Sequence, residues 1–374
     1  MSLSKINLTY VFGAGRLKKI NSSDLIAKEF FYGYFSMSEK YNCNIVEMNF
    51  PHEKNNIFLK TLDKVLRKLT RFPIYTKDIL SFENFKKLKS ADKLILTTDL
   101  LAFSLLPFLM IIKIFKRIDI YVIAMGLYGR NSQNVIIKLF QGVYMFLLHR
   151  ITNSFIFLGK GEYIKASNLK KKFENKFVFL PFSVDTHFWK EDKSVKYIDS
   201  SKEGVLFIGN DGKRDFDLVQ QIADEMPNIR FTLITKQISK SNSANVELIS
   251  GSWGENTLSD EEIKDYYIKS KITIIPLRET IQPSGQSVAL QSMSCGTPVM
   301  ITKTEGFWDE AEFKDEENII FVNSKMISDW KDKINKLYFD DLLLEKISIN
   351  STNTIMTKYN LNAFSKNLEK IISN

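Results

Sequence analysis

The chain has 374 residues, 44% apolar and 25% charged, ordinary for a globular protein and long for a single hydrophobic core. That composition excludes extended disorder, and two cysteines far apart, Cys43 and Cys295, exclude a disulfide framework and fit a reducing compartment. The net charge of +9 is unevenly held: residues 1–187 carry 29 Lys and Arg against 14 Asp and Glu, a balance of +15, and the remainder stands at −6. The first half is therefore expected to face something anionic, with lipid and nucleic acid both eligible.

The opening residues, MSLSKINLTYVFGAG, lack the charged-then-apolar shape of a signal peptide and read as a strand over 6–12 running into a turn at Gly13, Ala14 and Gly15. A helix is expected over 23–40, capped by Ser22 or Ser23, then a strand over 43–50. Residues 54–71, KNNIFLKTLDKVLRKLTR, form a basic amphipathic helix. Ile57, Phe58, Leu62, Val65, Leu66 and Leu69 can share one broad face, with Lys60, Lys64, Arg67 and Lys68 on the other. Such a helix lies on an anionic bilayer or sets its apolar side on the core. The +15 half favours the bilayer slightly, and no base-reading motif supports nucleic acid.

Strands follow over 94–97, 118–124 and 154–158, separated by helices over 99–115 and 133–149. The apolar run 100–112 is shorter than the ~20 residues that span a bilayer and reads as a buried helix. Residues 188–202 are polar and charged, a linker between two domains. Beyond it come strands over 204–208, 229–235, 246–250, 272–277, 299–302 and 319–322, with helices over 215–226, 259–270 and 287–294. The rest, 324–374, is helical. This alternation predicts an α/β protein of two doubly wound, Rossmann-like parallel sheets. The expected domains are 1–187 and 203–355, with 356–374 as a closing helix that packs back on the first.

The segment 282–299, QPSGQSVALQSMSCGTPV, carries the most chemistry. A turn at Pro283, Ser284 and Gly285 leads from a buried strand into a short helix. The amides of Gly285, Gln286, Ser287 and Val288 and the positive end of the helix dipole then face the space above the sheet edge. A phosphorylated ligand is the simplest occupant, and a generic α/β crossover turn is the plainer reading. Arg278 and Glu279 follow a strand at its carboxyl end, where open α/β sheets bind ligands, and Arg278 is a further phosphate candidate. Glu305 follows another strand end and is a ligand-contact candidate. Gly13 and Gly15 lack the third glycine of a dinucleotide fingerprint, since Lys18 occupies that position. Asp99, at a strand end in the first half, is either a helix cap or an acid that orients a substrate hydroxyl. Asp215 and Asp217 form a DxD triplet that starts a helix, so the helix dipole explains them better than a metal does. No HExxH motif and no His/Cys cluster is present, and no protein-held metal is expected.

The run SMSCGTPV at 292–299 resembles the AMACGTPV run of family 4 glycosyltransferases of the GT-B fold. LPFSVDTHF at 180–188 resembles their PNGVD…F segment, and GVLFIGNDGK at 204–213 their strand and loop ending in a basic residue. That family carries two glutamates eight residues apart before AMACGTPV; Gln291 and Pro283 stand at those positions here. The resemblance implies two sheet domains facing across a cleft and retaining transfer of a sugar from a nucleotide-diphosphate donor. It implies a lipid-linked or saccharide acceptor and a role in bacterial surface polysaccharide assembly. Lys213 and Arg214 would neutralise the donor diphosphate, the turn 284–288 would hold phosphate and sugar, and Gln291 the ribose. Gly13, Gly15 and Gly209 would allow close backbone approach. Placement would be cytoplasmic or peripheral on the cytosolic membrane face, with no cofactor beyond the donor. A sugar-nucleotide 2-epimerase of the same fold, or a non-enzymatic nucleotide-sugar-binding relative, are the rival readings.

Overall fold

A computed structural model describes residues 6–22, 25–49, 56–129, 132–190, 202–241, 243–251, 258–323 and 325–373. The chain divides into two compact units. One holds the described residues of Met1–Asp24, Phe31–Leu180 and Ser365–Asn374; the other holds Leu25–Phe30 and those of Pro181–Phe364. Most of the expected linker, 191–201, lies outside the described residues.

The first unit is built on β1 (Asn7–Phe12), β2 (Asn42–Glu47), β3 (Lys93–Leu96), β4 (Asp119–Ala124), β5 (Ser154–Phe157) and β6 (Phe177–Phe179). They form a parallel sheet in the order β2-β1-β3-β4-β5-β6. The second unit has β7 (Val205–Ile208), β8 (Phe231–Ile234), β9 (Val246–Ile249), β10 (Ile272–Ile275), β11 (Val299–Thr302) and β12 (Ile320–Val322). Their order is β12-β11-β10-β7-β8-β9, again parallel. Helices cover both sheets, which is why β10 (ITII) and β11 (VMIT) are buried along their whole length and read as mostly apolar runs. Val11, Leu94, Leu105 and Phe155 belong to the core of the first unit, and Phe207, Leu233, Met300 and Trp330 to that of the second.

Both sheets reverse direction. The chain moves outward from β1 to β2 and then returns to lay β3 on the other side of β1; β7 and β10 repeat this in the second unit. Such switch points leave a crevice outside the carboxyl ends of the two adjacent strands, and ligands bind there in open α/β sheets.

Two expectations need correction. The helix predicted over 23–40 is instead an irregular stretch at 25–28, a 3-10 turn Glu29–Phe31 and a helix Tyr34–Lys40. Tyr32 (φ 48°) and Gly33 (φ 78°) take left-handed backbone, which breaks the ladder, and residues 25–30 belong to the second unit. The amphipathic helix is present as Ile57–Thr70, capped by Asn56, but its apolar residues do not form one face. Leu59 and Leu66 pack on the core, and Ile57, Phe58 and Val65 are exposed. The buried Asp63 sets this rotation, because its carboxylate accepts from Thr76 N and Lys77 N at 3.0 Å each.

At the chain's end, helix Leu361–Ser373 carries it back into the first unit, where Lys93 Nζ and Tyr121 OH both donate to Ile372 O.

Candidate functional site

The switch point of the second unit gathers two loops. Residues 209–214 follow β7 and residues 276–285 follow β10. Their backbones clasp one another: Asp215 N donates to Pro276 O at 3.0 Å and Arg278 N to Lys213 O at 2.8 Å. Arg214 lies beneath, with only 3% of its surface exposed. Its Nη1 donates to Ser284 Oγ at 3.0 Å and lies 3.4 Å from Asp211 Oδ2; Ser284 Oγ in turn donates to Asp211 at 3.1 Å. The guanidinium Nε is buried without a hydrogen-bond partner. Burial pulls the Arg214 pKa below its ordinary value, with Asp211 opposing the shift.

Two glycines make room for this side chain. A Cβ at Gly209 would stand 2.3 Å from Arg214 Nε. At Gly285 it would stand 3.1 Å from Arg214 Nη1 and 2.7 Å from Ile275 Cγ2, and Gly285 also has a φ of +81°. Gly285 caps helix Gln286–Ser294, in which the first amide taken up by the helix is that of Ala289, on Gly285 O at 2.9 Å. The turn before it presents the positive end of the helix dipole beside Arg214, a setting suited to an anion.

The neighbouring candidates divide. Lys213 is half-buried at the edge of the same loop, its own amide donating to Asp211 Oδ1 at 2.9 Å. Arg278 is matched by the acidic triplet, 3.8 Å from Asp215 and 3.2 Å from Asp217, and Asp215 caps the helix that begins at Phe216. Glu279 Oε1 accepts from Thr280 N at 3.1 Å and Glu305 N at 2.9 Å, which ties the loop after β10 to the one after β11; Glu305 itself is exposed. Ser287 is half-buried, and Gln286 and Val288 are buried.

Gln291 is buried on the inner side of its helix, with both ends of the amide engaged. Its Nε2 donates to Glu29 Oε1 at 2.7 Å, and its Oε1 accepts from Tyr267 OH at 3.1 Å. Trp189 Nε1 also donates to Glu29 Oε1, at 2.8 Å. Segment 25–30 is anchored here by Ala27 N on Asp260 and Lys28 N on Asp185. Burial pushes the Glu29 carboxyl up to about 7, against the lowering effect of its hydrogen bonds, and its second oxygen is buried without a partner. Thus the position where the resembled family has a glutamate holds an amide, and a carboxylate reaches that amide from far away in sequence. Sequence reasoning missed Glu29, Trp189 and Tyr267. The one available signal was an acid inside the aromatic run KEFFYGYF.

In the first unit, Gly13 and Gly15 follow β1, and Gly15 (φ 88°) opens the short helix Arg16–Ile20. Asp99 stands beyond β3, at the same switch point, and is buried. It is not the helix cap: Thr98 fills that place, its hydroxyl accepting from Leu101 N at 3.4 Å. A second acid missed from sequence, Glu162, accepts from Gly126 N at 2.7 Å and Leu127 N at 3.0 Å. Burial pushes it up to about 7, and Asp99 adds to the shift. Among the described residues no group of His, Cys, Asp and Glu could hold a metal ion.

No family model and no curated protein matches this chain. Solved structures do, and over its whole length: the chain has the two-domain GT-B fold. It is similar to the sucrose-phosphate synthase of Thermosynechococcus elongatus, with a TM-score of 0.70 and 12% identity over 99% of this chain and 98% of that one. It is similar also to HepE of Anabaena, solved in complex with UDP and glucose, with a TM-score of 0.65 and 10% identity over 99% and 100%. A glycosyltransferase from Rickettsia africae gives a TM-score of 0.62 and 12% identity over 100% of each chain.

Proposed function

We propose that this protein is a glycosyltransferase, moving a sugar from a nucleoside-diphosphate sugar to a lipid-linked or saccharide acceptor at the cytosolic face of a membrane. The observation that carries this reading is Arg214, held beneath the Gly285 turn at the switch point of the second unit. Cleavage of the donor leaves a nucleoside diphosphate with growing negative charge. A fixed guanidinium and a helix N-terminus meet that charge without reorganising, and such preorganised contacts contribute about 3 kcal/mol each to the barrier. Lys213 adds a second cation at the loop's edge. The backbone amides of 285–288 hold the phosphate and sugar in place of the carboxylate that Pro283 cannot supply, and Gln291 lies one helical turn further on. The matches to structures solved with UDP, or with UDP and glucose, support the donor class. The resemblance in sequence supports retention of configuration and a role in surface polysaccharide assembly.

The test is a panel of nucleotide sugars with and without membrane extract, following nucleotide release and the sugar. Acceptor-dependent release supports transfer. Sugar interconversion would instead establish a 2-epimerase, and tight binding with no turnover a nucleotide-sugar-binding relative. No binding of any nucleotide overturns all three.

A further inference from the structure

Helix Val135–Ile151 is apolar on two opposite sides. Gln141, Tyr144, Met145, Leu148 and His149 face inward and are buried. On the outside, Val135, Ile136, Leu139, Phe140, Val143 and Phe146 recur at helical spacing along one stripe, between 38% and 79% exposed. A surface helix ordinarily turns polar residues outward, so this stripe is an unpartnered face.

Two helices of the same unit pack on the inward side of this helix. Gln141 Nε2 donates to Thr70 O at 2.8 Å and holds the end of helix Ile57–Thr70. Tyr144 OH donates to Phe103 O at 2.6 Å and Lys113 Nζ to Ile151 O at 2.7 Å, holding helix Asp99–Phe115. The first of these neighbours exposes Ile57, Phe58 and Val65, and the second Ile111, Ile114 and Phe115.

Charge decides what covers this surface. The three helices contain two carboxylates, Asp63 and Asp99, and both are buried. Every charge they show to solvent is therefore positive, including Lys60, Lys64, Lys68, Lys138 and Arg150. A second copy docking face to face would oppose like charges. An anionic bilayer supplies an apolar bed and phosphate counter-charges together. No helix among the described residues is long and apolar enough to cross a membrane, so these helices would lie in its surface.

We propose that the outer stripe of helix Val135–Ile151, flanked by helices Ile57–Thr70 and Asp99–Phe115, is the face by which this protein docks on an anionic lipid surface. This deepens the reading of a membrane-linked acceptor, but its test needs no transfer reaction. The full chain is mixed with vesicles of neutral phosphatidylcholine, or of phosphatidylcholine with 30% phosphatidylglycerol, at low and high salt, and binding is read by flotation. Anionic vesicles are expected to bind at least about tenfold better than neutral ones, with salt reducing the difference. The variant L139Q/V143Q removes apolar surface, and K64E/K138E reverses charge; each is expected to lose about tenfold or more. All four positions are exposed or lie beside the stripe, so unchanged thermal unfolding and nucleotide binding show that the variants remain folded. Equal partition to both vesicle types, or wild-type binding by both variants, overturns the proposal. A wild-type dimer that both variants dissociate, with no vesicle binding, assigns the face to a second copy and also overturns it. Vesicle binding without any nucleotide binding leaves this surface standing and removes the transferase reading alone.

Discussion

Gln291 donates its side-chain amide to the carboxylate of Glu29 at 2.7 Å, across 262 positions of sequence. The pair is buried, and Tyr267 and Trp189 complete it. An amide facing a carboxylate is a matched donor and acceptor. Two carboxylates at the same distance could not both ionise.

The first prediction concerns pH. Burial raises the Glu29 pKa to about 7, above the unfolded value of about 4.3. Its contribution to stability is therefore complete below about pH 4.3 and is lost as pH rises through about 7. At 1.36 kcal/mol per pK unit the effect is at most about 3–4 kcal/mol. The variant Glu29→Gln keeps the shape and removes the ionisation. Denaturant unfolding at pH 5 and pH 8 should show a smaller loss of stability at the higher pH for the variant than for the wild type. An unchanged difference would mean that Glu29 does not titrate in this range. Glu162 shifts in the same sense, so a residual slope in the variant is expected.

Exchanging the partners is a separate test. Gln291→Glu alone restores the acid of the resembled family but sets it against Glu29. It should destabilise the second unit by about 2–4 kcal/mol at pH 8 and by less at pH 5. The double variant E29Q/Q291E re-forms an amide–carboxylate pair and should recover most of that loss. Additive losses in the double variant would show that the two side chains do not interact.

At the candidate anion site, Gly285→Ala forces a Cβ against Ile275 and Arg214 in a left-handed backbone position. It should weaken nucleoside-diphosphate binding by about 100-fold, as should Arg214→Ala. Arg214→Lys retains charge but cannot bridge to Ser284 with a planar fork and should fall between. Calorimetric titration with nucleoside diphosphates measures this. Wild-type affinity in Arg214→Ala would place the diphosphate elsewhere.

A substitution at Asp99 tests donor binding and acceptor chemistry separately within the proposed reaction. Asp99→Asn should leave nucleotide affinity within about twofold and lower acceptor-dependent turnover by about 100-fold or more. Full turnover in this variant would reduce Asp99 to a buried neighbour of Glu162.

Much of this molecule was legible in one dimension because its strands are short, apolar and separated by helices of ordinary length. A mostly apolar, fully buried run such as Ile272–Ile275 has few alternatives to a strand covered on both faces. The glycine turn at 285 and the basic pair at 213 and 214 were readable as a candidate anion site because backbone conformation and charge are local properties. The break at Tyr32 and Gly33 was hidden, since a tyrosine in left-handed backbone leaves no mark in composition. Glu29 was hidden for a different reason. A lone acid among aromatics resembles any other until a fold buries it against an amide from the far end of the chain.

The sequence by itself therefore determined the two parallel-sheet units and most of their strands in chain order. Only tertiary structure decided that Arg214 lies beneath Gly285 and that Glu29 faces Gln291. It also decided that helix Val135–Ile151 turns a second apolar face outward. Periodicity and propensity act within one turn or one strand, whereas burial and pairing depend on which distant segments are brought together.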